Sequence, residues 1–313
     1  MQIWLIKKCL IFTSMVDKIL LTGSNGFLGS LILKEFSDRS VKGLSRNNSH
    51  YNIDLSKNIP NFHESFDLII HCAGIAHFIP INDQESRFFF DVNVVGTTNL
   101  LIGLSNNPLP KQFVFISSVR VYGLNEGITI NEDSPLLAKD PYGISKIEAE
   151  AIVKKWCDEN NVICTILRLP LIVGSKPPGN LGAMIKAIRN GYYFNISDGS
   201  ARKSMVLATD IGKFIRQAGC IGGIYNLTDG FHPSFYELSH FIAMQNNKKY
   251  VFRMPMLVAR ILALIGDNVG QKFPINSHKL SKIISSLTFD DTKARNTLGW
   301  NPTPVLKGFK IND

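Results

Sequence analysis

Ile19-Leu20-Leu21-Thr22-Gly23-Ser24-Asn25-Gly26-Phe27-Leu28-Gly29 decides the architecture of this 313-residue chain. The apolar run has no polar alternation, as in a strand buried on both faces. It feeds a glycine turn, and helical periodicity takes over from Phe27. Such a strand, turn and helix aim backbone amides and a helix N-terminus at one point, which cradles an anion. Gly23 suits the tight turn, Gly26 a close backbone approach and Gly29 close helix–strand packing, with Asn25, Phe27 and Leu28 along the same cradle. The spacing is G-x-x-G-x-x-G rather than the commoner G-x-G-x-x-G. The ligand expected there is the pyrophosphate of a dinucleotide.

Outward from this motif, short apolar runs at 18–22, 41–44, 67–71, 112–117 and 162–167 alternate with helix-length periodic segments at 27–37, 85–104 and 142–159. This alternation predicts an α/β fold, a doubly wound parallel sheet with helices on both faces. After Gly174 the texture changes. Residues 175–180 read as a turn-rich linker, followed by helices near 181–189, 235–243, 256–265 and 277–286 and short strands at 204–207 and 224–227. A smaller mixed α/β lobe over the carboxyl edge of the sheet is expected, since ligands bind at that edge. The expected division is an extension at 1–16, a dinucleotide-binding domain at 17–174 with a return segment at about 204–230, and a substrate lobe at 175–203 and 231–313.

Hydrophobic residues at 45% and charged residues at 19% exclude a disordered chain. The net charge of +9 invites an anionic partner, but the basic residues come as doublets such as Lys154-Lys155, Arg202-Lys203 and Lys248-Lys249, without a long run. That pattern argues against nucleic acid and fits phosphorylated small molecules or anionic headgroups equally well. Cys9, Cys72, Cys157, Cys164 and Cys220 show no Cys-x-x-Cys spacing. Neither a metal site nor a disulfide framework is expected, and a reducing cytoplasm is the expected compartment. Residues 1–16 are apolar, with Lys7-Lys8 in the middle rather than at the start, unlike a secretory signal, and are too short to span a bilayer. Met15 reads as an alternative translation start ahead of the first strand. Residues 254–265 are apolar on most sides and follow Lys248, Lys249 and Arg253. They read either as a buried lobe helix or as a helix making peripheral membrane contact.

The strand Phe113-Val114-Phe115-Ile116-Ser117-Ser118 delivers two hydroxyls at its carboxyl end. Downstream, Tyr142-Gly143-Ile144-Ser145-Lys146 puts a phenol and an ammonium on one face of a helix. The ammonium is expected to lower the phenol from its usual pKa of about 10, and Ser118 to hydrogen-bond the reacting oxygen and share its proton with Tyr142. At the adenosine end the second strand closes with Ser45-Arg46, where an acid would accept from ribose hydroxyls. Arg46 suits a 2′-phosphate, so the cofactor reading is NAD(P), leaning to NADP. Asp54, beside Leu55, either accepts from the adenine amino group or caps its loop.

With these motifs the chain resembles the extended short-chain dehydrogenase/reductase family, its NAD-dependent epimerase/dehydratase group, from Lys18 to Gly308. The residues that carry the resemblance are Gly23-x-x-Gly26-Phe27-Leu28-Gly29, His71-Cys72-Ala73-Gly74, Asn93-Val94-Val95-Gly96-Thr97, Ser117-Ser118-x-x-Val121-Tyr122-Gly123, Tyr142-x-x-x-Lys146 and Leu298-Gly299-Trp300-Asn301-Pro302. The resemblance implies a Rossmann domain, Tyr142 as general acid/base and Ser118 polarising the substrate oxygen. Lys146 would bind the nicotinamide ribose, and Ala73, Gly74, Ser117 and Pro170 would lie along the cofactor, while Asn93 would steady the central helix. It further implies a nucleotide-sugar or polyprenyl-diphosphate-sugar substrate held by His77, Arg120, Asn180, Leu181 and Arg202 or Lys203, and a homodimer through the two long helices. Val119 and Arg120 replace the acid pair that the family's dehydratases carry, which argues against dehydration. Leu171 stands where many UDP-sugar epimerases place an Asn. The expected activity is C4 epimerisation through a 4-keto sugar, in surface-polysaccharide synthesis. The alternatives are an NADPH-dependent 4-keto-sugar reductase and a non-catalytic dinucleotide-binding subunit.

Overall fold

The computed structural model of the protein describes residues 17–76, 78, 80–218, 221–269, 273 and 275–311. The expected extension and Met15, together with Cys9, His77 and Cys220, lie outside them. The first half runs β1 (Lys18–Thr22), α1 (Phe27–Glu35), β2 (Ser40–Ser45), β3 (Tyr51–Asn52), β4 (Leu68–His71), α2 (Asp83–Ser105), β5 (Gln112–Ser118), β6 (Gly127–Ile130), α3 (Pro141–Glu159) and β7 (Ile163–Leu169). The second runs β8 (Leu171–Val173), α4 (Gly179–Arg189), β9 (Phe194–Ile196), β10 (Met205–Leu207), α5 (Ala208–Ala218), β11 (Gly223–Asn226), α6 (Phe235–Gln245), β12 (Phe252–Met254), α7 (Met256–Val269), α8 (Ser277–Ile284), β13 (Leu287–Phe289), α9 (Thr292–Leu298) and α10 (Val305–Gly308).

Seven strands form one parallel sheet in the order β11-β7-β5-β4-β1-β2-β3. The chain winds outward from β1 to β3, returns to β4 and then winds the other way. The reversal leaves a crevice beyond the carboxyl ends of β1 and β4. Both sheet faces are apolar, as the unbroken strand sequences require. Ile19 and Leu21 pack under α1 and α5, whereas Leu20 and Ile69 pack under α2 and α3. α2 is long and apolar enough to cross a bilayer, but here it covers the sheet, with Phe89, Leu100, Leu101 and Leu104 buried. Trp300 anchors the closing segment, donating its Nε1–H to the Thr228 carbonyl at 2.9 Å and meeting Phe214 edge to face. β8, β9 and β6 pair in parallel with β10, β12 and β13 respectively, and a separate core gathers around Leu181, Ile185, Leu238 and Ile242.

One buried polar chain crosses the crevice. The Ala73 amide donates to Thr22 Oγ1 at 3.1 Å, and Thr22 Oγ1 meets His71 Nδ1 at 2.6 Å. On the other side His71 Nε2 meets Thr97 Oγ1 at 2.9 Å, and Thr97 donates to the Asn93 carbonyl at 2.6 Å. Because Thr97 spends its proton on that carbonyl, it accepts from Nε2–H. Nδ1 then accepts from Thr22, which sets the tautomer. Burial holds the imidazole neutral, with its pKa pushed down to about 3.

The unfolded chain therefore binds a proton at His71 below about pH 6.5 that the folded chain refuses, and stability falls with acid across that window. Between pH 7 and pH 5 this residue is expected to cost about 2 kcal/mol, from roughly 1.36 kcal/mol per pH unit below its unfolded pKa. Urea midpoints measured against pH check this: His71→Asn should be less stable at pH 7 yet lose less between pH 7 and pH 5. An unchanged slope would show that His71 is protonated in the fold.

Candidate active site

The glycine turn is packed to contact. Gly23 has φ +68°, in the left-handed region, and a Cβ there would stand 2.7 Å from the Ala73 nitrogen. A Cβ on Gly29 would stand 2.1 Å from the Gly23 carbonyl oxygen. The turn closes through the Gly26 amide, which donates to that carbonyl at 2.9 Å. The Asn25 amide donates to Ser45 Oγ at 3.2 Å, and its side chain donates to the carbonyls of Asn47 and Asn48. This side chain ties the turn to the end of β2. Leu28 is buried in the core, so only its backbone can face a ligand, and the Phe27 ring lies against Gly174.

At the adenosine end Ser24, Ser45 and Ser49 share hydroxyl contacts of 2.8–3.1 Å. Arg46 beside them is exposed, with no ion pair among the described residues. Asp54 uses Oδ1 to accept from the Ser56 amide and hydroxyl, the capping role weighed for it above, and Leu55 is buried against α2. On the nicotinamide side, Asn93 sits in a π-helical turn of α2 and grips the loop after β4 through the Ile75 amide and carbonyl. Its amide also donates to Ser145 at 2.9 Å, one helical position from Lys146. A Cβ on Gly74 would touch Asn93 Oδ1 at 3.1 Å and come within 3.9 Å of Lys146 Nζ. Side chains at 23, 26 and 74 would therefore run into the Ala73 backbone, the Gly23 carbonyl and the Asn93 side chain, so the two turns and α2 meet in close contact.

Helix α3 presents the phenol. Asp140 caps it, accepting from the Gly143 amide at 3.1 Å, and Pro141 starts it. Phe89 of α2 packs on the Tyr142 ring with centroids 5.9 Å apart, and Ser118, at the last position of β5, lies beside the phenol, its Oγ accepting from the Arg120 amide at 3.2 Å. Burial raises the Tyr142 pKa, opposed first by Ser118 and also by the Arg120 guanidinium, with the Asp140 carboxylate reinforcing the rise. The lowering by Lys146 expected from the sequence is not the outcome: desolvation wins, and the Lys146 ammonium points elsewhere. It donates to the Ile116 carbonyl at 2.7 Å and lies 4.2 Å over the Phe115 ring. Burial lowers its pKa to about 8, against the pull of Glu150 one turn further on.

Ser117, expected beside the cofactor, turns the other way and donates to buried Glu150, which is ion-paired with Arg168 at 2.7 Å. Alternation along β5 explains this, because consecutive residues face opposite sides of the sheet. Pro170 links β7 to β8, next to this pair.

The substrate-side residues separate into paired and unpaired cations. Arg120 donates to Asp140 at 2.7 Å, and Arg202 is spent on Glu237 and the His232 carbonyl. Lys203 has no ion pair among the described residues, and its pKa is lowered to about 8, first by burial and then by Lys282 of α8. Lys282 is itself lowered by burial and by Arg120, and His278 is lowered chiefly by Lys282 and also by Arg120. Lys203, Lys282, His278 and Arg120 therefore lie within electrostatic reach of one another, with the Asp140 carboxylate paired to Arg120 among them. Asn180 is exposed in the first turn of α4, while Leu181 is buried in the lobe core. The sequence reading missed His278 and Lys282; their i, i+4 spacing on a helix was the available signal.

A model of the NAD dependent epimerase/dehydratase family matches residues 19–221. The chain is 27% identical to N-acetyl-alpha-D-glucosaminyl-diphospho-ditrans,octacis-undecaprenol 4-epimerase of Escherichia coli O157:H7, over 94% of each chain. It is 25% identical to UDP-glucose 4-epimerase of Vibrio cholerae, over 95% of this chain and 94% of that one. In fold it is similar to RMD from Pseudomonas aeruginosa complexed with NADPH, with a TM-score of 0.70 and 19% identity over 93% and 95% of the two chains.

The glycine contacts make a direct expectation. Gly29→Ala should cost about 1–3 kcal/mol of stability through overpacking and weaken dinucleotide binding by roughly tenfold or more. Fluorescence titration with NADH and NADPH reads this, and unchanged affinity for both would remove the cradle from the site.

Proposed function

The chain belongs to the NAD dependent epimerase/dehydratase family, and on that premise we propose that it epimerises a diphosphate-linked sugar at C4 through a 4-keto intermediate. One observation carries the reading: a half-buried phenol on α3 set beside Ser118 at the carboxyl end of β5, next to the glycine turn. The sugar carrier is a nucleotide or a polyprenyl diphosphate, the two carriers named for the relatives in Vibrio cholerae and Escherichia coli. Polysaccharide assembly in the cytoplasm and a homodimer through α2 and α3, with Val95 and Ile102 of α2 exposed, belong to the same reading.

The bound dinucleotide would supply the hydride acceptor and donor at C4. Gly23, Gly26 and the N-terminus of α1 would hold its pyrophosphate and Lys146 its nicotinamide ribose. Tyr142 then takes the C4 hydroxyl proton as the carbon is oxidised, and returns it after the sugar has presented its other face. The raised pKa keeps the phenol protonated in the free protein, the form that gives a proton to the 4-keto oxygen; taking the C4 hydroxyl proton requires the phenolate, the form that Ser118 and Arg120 favour. Ser118 holds the reacting oxygen in line. Lys203, Lys282, His278 and Arg120 would grip the diphosphate while the 4-keto sugar rotates. Anchoring energy placed away from the reacting carbon permits that rotation without release. With Val119 and Arg120 after Ser118, and Arg120 committed to Asp140, no acid pair stands ready to eliminate water. Residues 175–203 and 231–313 form the lobe that closes over the sugar in this reading.

A 4-keto-sugar reductase is the second reading, favoured by the exposed, unpaired Arg46 at the NADP-selective position. Mass identification of dinucleotide released from freshly purified protein separates the two. Retained NAD is expected of an epimerase that recycles its cofactor, and an empty site that fills with NADPH would move the assignment to reduction. Arg46→Ala should weaken NADPH by about tenfold or more while leaving NADH within about twofold, since a charged hydrogen bond to phosphate is worth roughly 1.5–3 kcal/mol. Equal losses for both would remove the 2′-phosphate role.

For the chemistry itself, Tyr142→Phe is expected to lower turnover by roughly 100- to 10,000-fold, the range of general acid–base catalysis, with dinucleotide affinity retained. Turnover within about twofold of wild type would overturn the catalytic assignment.

A further inference from the structure

Helix α7 is inside out. Its buried stripe is Ala259, Ala263 and Gly266, and a Cβ on Gly266 would stand 1.9 Å from the Ile275 carbonyl oxygen. Its large apolar side chains face outward instead: Leu257 is 71% exposed, Ile261 51%, Leu264 62% and Ile265 45%. Spacing at i, i+4, i+7 and i+8 puts these four on one side, with Val258 and Val269 beside them. The stripe of small residues lets α7 lie close against Ile196, Met254 and Leu280, so the bulk has no room within the fold. At the helix start the surface continues into Phe252 and Phe194, paired across β12 and β9 with ring centroids 6.1 Å apart and both exposed. A contiguous exposed apolar surface of this kind marks an interaction site.

Charge selects the occupant. Lys248, Lys249 and Arg253 lead into the helix and Arg260 lies within it. The acid of α7, Asp267, is occupied by the amide and hydroxyl of Ser277. Exposed Tyr250 sits under the Lys249 ammonium, an amphipathic ring between apolar and charged surface. A twofold contact with a second copy would set this basic rim against itself. An anionic bilayer neutralises it while taking up the apolar face.

We infer that α7 docks the protein on an anionic lipid bilayer, lying in the headgroup interface with its axis along the membrane plane. The adjoining helix α8 carries His278 and Lys282, so docking would hold the cation cluster about one helix diameter, roughly 10 Å, from the headgroups. A lipid-borne diphosphate starts at headgroup level and would extend about that distance to meet the cluster. This extension to a lipid-linked substrate rests on the sugar-epimerase reading, whereas membrane binding itself does not.

The test is flotation of the full-length protein with vesicles of phosphatidylcholine alone and of phosphatidylcholine with an equal part of phosphatidylglycerol. The wild type should float with the anionic vesicles at low salt and lose partitioning as salt screens the rim. Ile261→Glu/Leu264→Glu should lower that partitioning by about tenfold or more, with thermal midpoint and dinucleotide affinity unchanged because both side chains are exposed. Both proteins keep residues 1–16, so the difference isolates α7. Lys248→Glu/Lys249→Glu should weaken binding to the anionic vesicles alone. A wild type that stays unbound, a double glutamate variant that floats equally well, or glutamates that instead turn a dimer into a monomer would each overturn the proposal. Because no turnover is measured, failure here leaves the chemistry at Tyr142 untouched, and failure of that chemistry leaves this surface in place.

Discussion

Everything at the site depends on how closely two turns approach at the centre of the sheet. The turn after β1 and the turn after β4 meet with Gly23 against Ala73, at a separation that no Cβ at 23 could share. Gly29 then sets α1 directly on the Gly23 carbonyl. The turn is also held from within, the amides of Gly23, Asn25 and Gly26 being taken up by the Leu44 carbonyl, Ser45 Oγ and the Gly23 carbonyl. The hydrogen-bonded chain from Ala73 through Thr22, His71 and Thr97 to Asn93 holds the two turns and α2 in one arrangement. A neutral histidine serves as the link because it donates on one side and accepts on the other, which neither a protonated imidazole nor a lysine could do.

Electrostatics at the reacting end follow from burial more than from pairing. Tyr142 and Lys146 are one turn apart on α3, yet each answers chiefly to desolvation, which pushes the phenol up and the ammonium down. Two charges reach the phenol with opposite sign: the Asp140 carboxylate, which also caps the helix and raises the pKa further, and the Arg120 guanidinium paired to it, which lowers it. One acid thus sets both the start of α3 and the position of the guanidinium beside its tyrosine. On the substrate side, Lys203 and Lys282 are lowered first by burial and then by a neighbouring cation, and His278 first by Lys282.

Much of this was legible in the chain because the signals are local. β1 runs over the residues read from its apolar sequence, and β4, β5 and α3 begin and end within two residues of expectation. Those elements are buried on the faces their patterns present. Ser118 and Tyr142 could be paired from sequence because a strand end and a helix start carry them to the same edge. What escaped was set by tertiary placement. The direction of Ser117 depends on a buried Glu150–Arg168 pair that local pattern does not announce. The choice between Arg202 and Lys203 depends on Glu237, thirty-odd positions away. Lys282 became a site residue only when α8 packed beside the cleft, and the Tyr142 pKa turned on its depth of burial rather than on its sequence neighbours.

The same distinction governs α7. An apolar segment of this length reads equally as a core helix or a surface one, because composition does not say which side faces inward. Here the small residues settle it. Ala259, Ala263 and Gly266 match the space left over α8 and the β9–β12 pair, so the fold needs the helix close and has room for nothing larger. Leaving Leu257, Ile261 and Leu264 in water forgoes the stabilisation that burial would bring, about 1.5–3 kcal/mol for each aliphatic side chain. The stability of the lobe gains nothing from those particular residues, and a polar face would serve the same inner packing. Their bulk therefore makes physical sense only against something beyond the described residues.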